Sequence, residues 1–562
     1  YAIRISEKNF GFENNIKSMM SSPFKIIISL IFLIIYLFNF YSCYSFDSTN
    51  FFVRLDDGRY AIFHGVNVVV KLPPFIPDTE TFDPYFSFTD EDISILNRLG
   101  INLVRLGIIW ESVEYEKGQY NLTHLEKMSE IVSKLEKNNI TVIIDAHQDM
   151  FSRLFCGEGA PKFYVENMTY AKDCKTNILS RFFGLVTACI PLSVNKWRYN
   201  EEGLPEIEDC IAGSFIDYHK SPELMSIYDS FFKNENGVLD AFVNFWKVVA
   251  QKFKGRKNVL GYDLWNEPWA SNLWIDLKSL LPGYVDNHIL LDFYSKIDEG
   301  ISEIDPDYTM LFEPIPFPDT LPLFGGHALG TFDKTPVNVK VRKQMFNVHS
   351  YCCAADQNIC KDGEPKLSDA SGTCAEFHDR KLQKNKKQAN DIGIPVIVTE
   401  FGACSSSTAC YYEMIGFEKA ADKYLTSWAY WMYKAYHDHT TTAAENEEGI
   451  FNEDGTLQNM KEKALSRTYI QYYQGLPLEV FFNDDTSEFL ARFEYDGNIE
   501  EPSVLYINKD LNYKDGYKLE ITDDDGKAIE EVVVKENGNY ISIKINRSKE
   551  EKLIVKIILY PL

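Results

Sequence analysis

The sequence predicts an α/β fold: a (β/α)8 TIM barrel with long disulfide-rich loops, followed by a C-terminal β-sandwich domain. Three observations predict it. Eight short apolar runs alternate with amphipathic helical stretches between Tyr60 and Tyr433. Most of these runs are too apolar to alternate, as expected of parallel strands covered on both faces. Past Gly475 the texture changes to short strands separated by turn residues.

The first run is Tyr60–Val70. A helix over Asp90–Leu99, capped by Thr89, ends at Gly100 and leads into Ile101–Ile108. A helix over His124–Lys137 precedes Ile140–His147, and one over Leu239–Lys254 precedes the run ending in Asn266-Glu267-Pro268. The helix Leu291–Ile304 leads to Tyr308–Pro314, and Met345–Tyr351, Ile394–Gly402 and Ser427–Tyr433 complete the set. This order argues for a parallel sheet. A doubly wound sheet is the alternative, but no glycine-rich phosphate loop follows the first strand. The interval from Asp149 to Lys257 is far too long for an ordinary connection. It holds Cys156, Cys174, Cys189 and Cys210; Cys352, Cys353, Cys360 and Cys374 follow the sixth strand, and Cys404 and Cys410 the seventh. All ten fall after strands, on the face where barrels build sites, and they read as staples on long loops. Zinc is the other use of such residues, but no clean pair of CxxC knuckles appears. Pairing is left open.

Residues 1–45 read as a leader and secretory signal, with Met19 or Met20 as the start. Lys25 precedes the apolar run Ile26–Phe40, and Cys43 and Ser45 supply the small residues before a cleavage point. An uncleaved anchor is the alternative, because the run approaches spanning length. Of 11 cysteines, loss of Cys43 leaves an even set, as disulfides require. Asn121, Asn139, Asn167 and Asn546 open glycosylation tripeptides. The chain is therefore expected outside the cell or in a lysosomal or endosomal lumen. The barrel is then expected over 46–474 and the sandwich, an accessory domain, over 475–562. Lys and Arg number 57 against 82 Asp and Glu, a net charge of -25, which argues against nucleic-acid binding.

Glu267 closes the fourth run and Glu400 the seventh, in Thr399-Glu400-Phe401-Gly402. In a barrel these lie across the mouth from each other. Two facing carboxylates are what glycoside hydrolysis needs, one ionised to attack the anomeric carbon and one protonated to release the leaving oxygen. The plain alternative is a pair of solvated strand-end glutamates. The paired motifs argue against it.

Asn266-Glu267-Pro268 together with Glu400 resembles glycoside hydrolase family 5. The stretches FHGVNVVVKLPPF, DAHQDMFSR, GYDLWNEPW, VHSYC and VTEFG resemble its endoglycoceramidases. The resemblance covers the barrel, and the sandwich matches that group's architecture. It implies Glu267 as acid/base and Glu400 as nucleophile, with no metal or other cofactor. It implies that Asn266 contacts the sugar 2-hydroxyl, Arg105 holds Glu400 ionised, Tyr351 donates to Glu400, His349 lines the pocket and Trp431 forms its floor. Lys71, His147 and Asp149 match glycan-binding positions of that group. His147, Asp149 and Trp431 taken singly read equally as structural residues. The loops after strands one, four and five, with Trp269, Trp274, Leu280 and Leu281, are unusually apolar, which fits a lipid aglycone or loops with small cores of their own. The expected reaction is cleavage between glycan and ceramide in a glycosphingolipid, met transiently at a membrane or micelle surface. The rivals are a glucosylceramidase or steryl-β-glucosidase, and a non-catalytic glycolipid-binding protein. Oligomeric state has no signature in the sequence.

Overall fold

The computed structural model describes residues 43–174, 189–213, 215–269, 272, 275–316, 330–355, 359–361, 364–441, 446–547 and 552–562. The expected start at Met19 or Met20 and the apolar run Ile26–Phe40 lie outside the described residues.

Eight parallel strands close into a barrel: His64–Val68, Leu103–Ile109, Thr141–His147, Val259–Asp263, Thr309–Phe312, Lys343–Ser350, Val396–Phe401 and Ser427–Tyr430. They are buried almost throughout, which is why they read as unbroken apolar runs. The helix Asp90–Arg98 begins with a capping box: Thr89 accepts from the Asp92 amide while Asp92 accepts from the Thr89 amide. Leu122–Lys137 starts two residues before the expected His124 because Asn121 caps it. Helices Ala375–Ile392 and Thr408–Tyr424 flank the seventh strand. The first has only five buried side chains in eighteen residues, too weak a stripe to stand out in the sequence.

The lower end of the barrel is filled by one apolar layer. Phe63, Leu103, Ile143, Leu311, Met345, Ile397 and Ala429 meet Tyr44, Val53 and Ala61 there. Successive side chains on a strand alternate faces, so two residues further on the same strands again point inward. Those positions are Arg105, Asp145, Glu313, Asn347, Thr399 and Trp431. An apolar floor thus sits under a polar layer, and the polar layer carries the site.

Two packed antiparallel sheets form the sandwich. Gly475–Phe482, Phe489–Tyr495, Ile554–Pro561 and Tyr517–Asp523 make one. The other has seven strands, and it corrects both expected boundaries. Tyr44–Phe46, Val53–Leu55 and Tyr60–Ala61 form one side of it and Tyr469–Tyr473 its middle, before Ser503–Tyr506, Tyr540–Ile545 and Val532–Asn537. Residues 46–61, expected in the barrel, therefore belong to the sandwich sheet, and so does the segment just before 475. The N-terminal strands are two or three residues long, too short to show any periodicity. Tyr469–Tyr473 is buried nearly throughout, but the polar Gln471 at its centre breaks the apolar run that would have marked it. Val532–Asn537 is an edge strand facing solvent, with no buried side to mark it. Ser45, the expected end of the leader, lies inside the first of these strands, and the Tyr44 hydroxyl is 3.0 Å from Thr141 Oγ1 in the barrel wall. The folded body accordingly begins before residue 46.

Candidate active site

Arg105 organises the polar layer. It is fully buried. Its Nη1 donates to Glu400 Oε1 at 2.6 Å, its Nη2 to Asn266 Oδ1 at 2.8 Å and its Nε to Asp263 Oδ2 at 3.0 Å. Asp145 lies 3.0 Å and Glu313 3.5 Å from Nη2. Burial disfavours its charge, yet these carboxylates outweigh that and push its pKa above the ordinary arginine range.

Glu400 reaches Arg105 through a break in strand alternation. Between strands six and seven the register shifts at Val348/His349, so His349 pairs with Glu400 where regular pairing would give Thr399. Thr399 and Glu400 therefore both address the interior. Thr399 Oγ1 donates to Asn347 Oδ1 at 2.5 Å, and Glu400 Oε2 accepts from the Tyr351 hydroxyl at 2.8 Å. Burial pushes the Glu400 carboxyl up, His349 and Arg105 pull it down, and Glu267 pushes it up.

Glu267 does not sit on the fourth strand, which ends at Asp263, but on the turn beyond it. Its φ of 39° is left-handed, a costly conformation for a residue with a Cβ. The turn is held from below. Gln148 Nε2 donates to the carbonyls of Asn266 at 2.7 Å and Glu267 at 3.2 Å. Gln148 Oε1 accepts from Tyr228 and the Phe151 amide, both at 2.9 Å. Asn266 Nδ2 returns a bond to the Gln148 carbonyl at 3.1 Å. With Asn266 Oδ1 held by Arg105, one Nδ2 hydrogen is left for a sugar. Glu267 Oε1 meets His349 Nδ1 at 2.8 Å, and its amide donates to Glu313 Oε2 at 3.2 Å.

His349 stands between the carboxylates, with Nδ1 3.3 Å from Glu400 and Nε2 3.3 Å from Glu313. Burial opposes its charge, but Glu313 and Glu400 dominate and raise its pKa well above the usual value. Burial lifts Glu313 to about 8, against the pull of His349. One ligating atom each of Glu267, His349 and Glu400 lies within 4.8 Å of the others.

A second group adjoins the first. Lys71 Nζ lies 2.6 Å from Asp149, 3.0 Å from Asp438 and 2.5 Å from Thr440 Oγ1. Its ammonium is 4.6 Å from the centre of the Trp431 ring, and His147 stacks on that ring at 5.1 Å. His147 Nδ1 is 2.7 Å from Asp145, so the two groups share one scaffold. His147, Asp149 and Glu158 also converge within 4.8 Å. Neither convergence suits a metal ion. Lys71 already neutralises Asp149, and both ring nitrogens of His349 already engage neighbours, Nδ1 meeting Glu267 Oε1 and Nε2 meeting Thr399 Oγ1.

The structure thus brings together Arg105, Asn266, Glu267, His349, Tyr351 and Glu400, and beside them Lys71, His147, Asp149 and Trp431. Asp145, Gln148, Glu158, Asp263, Glu313, Asn347, Asp438 and Thr440 were not foreseen, nor was Asn67, whose Oδ1 accepts from Arg105 Nη1 at 3.3 Å. Period-two counting from the apolar floor would have found Asp145, Glu313 and Asn347. Five disulfides, Cys156–Cys210, Cys174–Cys189, Cys352–Cys374, Cys353–Cys360 and Cys404–Cys410, staple loops after strands three, six and seven. Asn139, Asn167 and Asn546 are exposed, and Asn121 is half-buried as a helix cap. Trp269 is buried, Leu281 is exposed, and Trp274 and residues 317–329 lie outside the described residues.

Similarity to known proteins agrees with this geometry. The family described as Cellulase (glycosyl hydrolase family 5) matches residues 72–185 and 209–437. An endoglycoceramidase of Cyanea nozakii is 28% identical over 490 residues, 86% of this chain and 89% of its own. One of Hydra vulgaris is 29% identical over 471 residues, 83% and 80% of the two chains. The solved structure of endo-glycoceramidase II from Rhodococcus sp. in its ganglioside GM3 complex shares the fold, with a TM-score of 0.65 at 19% identity over 91% of this chain and 99% of that one. The family match takes in Glu267, Glu400 and the residues that hold them, so the chain belongs to glycosyl hydrolase family 5 and is a glycoside hydrolase.

Proposed function

We propose that the protein is a retaining endoglycosylceramidase, cleaving the β-linkage between glycan and ceramide in glycosphingolipids. The observation that favours the retaining route is the closeness of Glu267 and Glu400, which bring one oxygen of each within 4.8 Å of the other. Retaining pairs stand about 5–5.5 Å apart, and inverting pairs about 6.5–9.5 Å. Glu400, oriented by Arg105 and Tyr351, attacks the anomeric carbon. The bond to the ceramide oxygen breaks as that oxygen takes the proton of Glu267. Water then attacks the anomeric carbon of the glycosyl ester and gives a proton to Glu267 as the bond from that carbon to Glu400 breaks, which frees the glycan and regenerates the carboxylate. Asn266 contacts the 2-hydroxyl, Trp431 forms the floor, and Lys71, His147 and Asp149 bind the glycan.

The ceramide assignment draws on the activity of the Cyanea and Hydra relatives. It also draws on exposed apolar side chains of the loops after strands three and four, among them Val194, Ile211, Ile275 and Leu281. These loops would meet a membrane or micelle surface transiently. A secretory route is part of this reading, supported by the five disulfides and by the exposed Asn139, Asn167 and Asn546.

The test is a ganglioside and glucosylceramide offered in parallel, with products identified by mass. Release of intact oligosaccharide and ceramide is expected. Release of glucose from glucosylceramide alone would move the assignment to a glucosylceramidase. Glu267→Gln and Glu400→Gln each lower kcat by about a thousandfold or more in a folded protein. Near wild-type turnover by either variant contradicts the roles.

A further inference from the structure

A cavity of about 400 Å³ opens where the barrel meets the sandwich. Four segments wall it: residues 49–52 after the strand Tyr44–Phe46, the C-terminal parts of helices Ala375–Ile392 and Thr408–Tyr424, and the start of Gly475–Phe482. Each helix ends just before a barrel strand begins, at Val396 and at Ser427. The cavity therefore lies at the floor end of the barrel, opposite the glutamates. The proposed glycosidase chemistry does not use it.

Its polar feature is Lys386. The side chain is half-buried, and its ammonium stands 4.6 Å from the centre of the Phe52 ring. Among the described residues it has no carboxylate partner and no hydrogen bond. That is unexpected in a chain with 82 acidic and 57 basic residues. Burial alone acts on it and pulls its pKa down to about 8, with no charged group to offset the cost. The helix ends do not supply the missing charge. Lys386 lies more than a turn before Ile392, outside the reach of its own helix's negative end. In the neighbouring helix, the carbonyls of Ala421 and Asp422 are taken by the amides of Thr426 and Leu425. The other ammonium of the cavity, Lys423, is paired with Asp379 at 2.7 Å. One cation is thus left uncompensated, beside the apolar Phe51, Leu425, Leu476 and Leu478. Removing a charge from water is costly unless it is paired. A ligand that offsets the cost here brings one negative charge and an apolar body.

We propose that this cavity binds a monocarboxylate with a short apolar chain, held by a charge-assisted hydrogen bond from Lys386. Such a carboxylate arrives either free in solution or as a fatty acid held in a membrane, and the test separates the two sources.

The full chain is titrated with octanoate by calorimetry. Wild type is expected to bind with a Kd of about 0.1–1 mM. Acetate lacks the apolar chain and octanol the charge, so each should bind at least about tenfold more weakly. Lys386→Met keeps the length of the side chain without its charge, and should lose at least about tenfold in octanoate affinity. Lys386→Arg keeps the charge and should stay within about threefold of wild type. A cooperative melting transition shows that each variant is folded, and Lys386→Gln replaces Lys386→Met if the latter is not. Co-sedimentation with phosphatidylcholine vesicles carrying oleic acid reads the second source. Capture that depends on Lys386 identifies a membrane-held carboxylate, and equal capture of wild type and Lys386→Met identifies the free one. Equal octanoate affinity in wild type and the neutral variant overturns the proposal, as does a wild type that binds no octanoate.

Discussion

Gln148 shows how far the machinery reaches behind the residues that would touch sugar. It is buried, and its amide holds the carbonyls on either side of the Asn266–Glu267 link, where the backbone adopts its left-handed turn. Gln148→Met keeps the volume and loses all four side-chain bonds, those to the Asn266 and Glu267 carbonyls and those from Tyr228 and the Phe151 amide. Misplacing a proton donor by about 1 Å can cost about a hundredfold, so kcat on a glycosphingolipid is expected to fall by about 10- to 100-fold with KM little changed. An aryl glycoside with a good leaving group needs the proton of Glu267 less and should lose less. Steady-state kinetics on both substrates checks this, and equal losses contradict it. His147 gives a pH signature. Burial opposes its charge, but Asp145 and Asp149 prevail and raise its pKa to about 9, from an unfolded value near 6.5. A raised pKa contributes stability that is complete below about pH 6.5 and lost as pH climbs through about 9. Thermal unfolding across that window should show a decline that His147→Gln flattens. Glu267 and Glu400 were legible because each closes an apolar run inside a recognisable motif. Asp145, Asp263 and Glu313 were not, because acidic residues read as solvated until a buried arginine is known to gather them.

At the level of elements, the barrel strands were readable and their limits less so. A parallel strand buried on both faces leaves an apolar run of four to eight residues, and all eight such runs sit in the barrel. Two- and three-residue strands leave no pattern, so the N-terminal share of the sandwich was missed. That share changes what the C-terminal domain is. Tyr60–Ala61 pairs with Tyr472–Tyr473, and Tyr44, Val53 and Ala61 pack against the barrel floor. Removing everything after residue 474 would strip Tyr469–Tyr473 of its partner Ser503–Tyr506 and expose the buried face of that sheet. The truncated chain is expected to aggregate or to lose its cooperative unfolding transition, as read by size-exclusion chromatography and calorimetry. A soluble, active, cooperatively melting fragment would contradict the shared-sheet account.

Across the whole molecule, polarity is graded along the barrel axis. One end is sealed by the apolar floor and the shared sheet. The other gathers the carboxylates, their cations and the stapled loops. Barrel and sandwich are also joined by buried charge. Arg467 meets Asp422 and Asp484 at 2.9 Å and Glu418 at 3.6 Å, linking helix Thr408–Tyr424 to the turn after Gly475–Phe482. The two-domain layout was legible because strand texture changes sharply near Gly475. The joint was not, because it depends on segments from both ends of the chain meeting in space. The central claim is that Glu267 and Glu400 act on opposite sides of one glycosidic bond at retaining distance. Proton NMR of the first sugar released from a β-glycoside, recorded before mutarotation, tests it most directly. The β-anomer is predicted, and the α-anomer as first product would contradict the account.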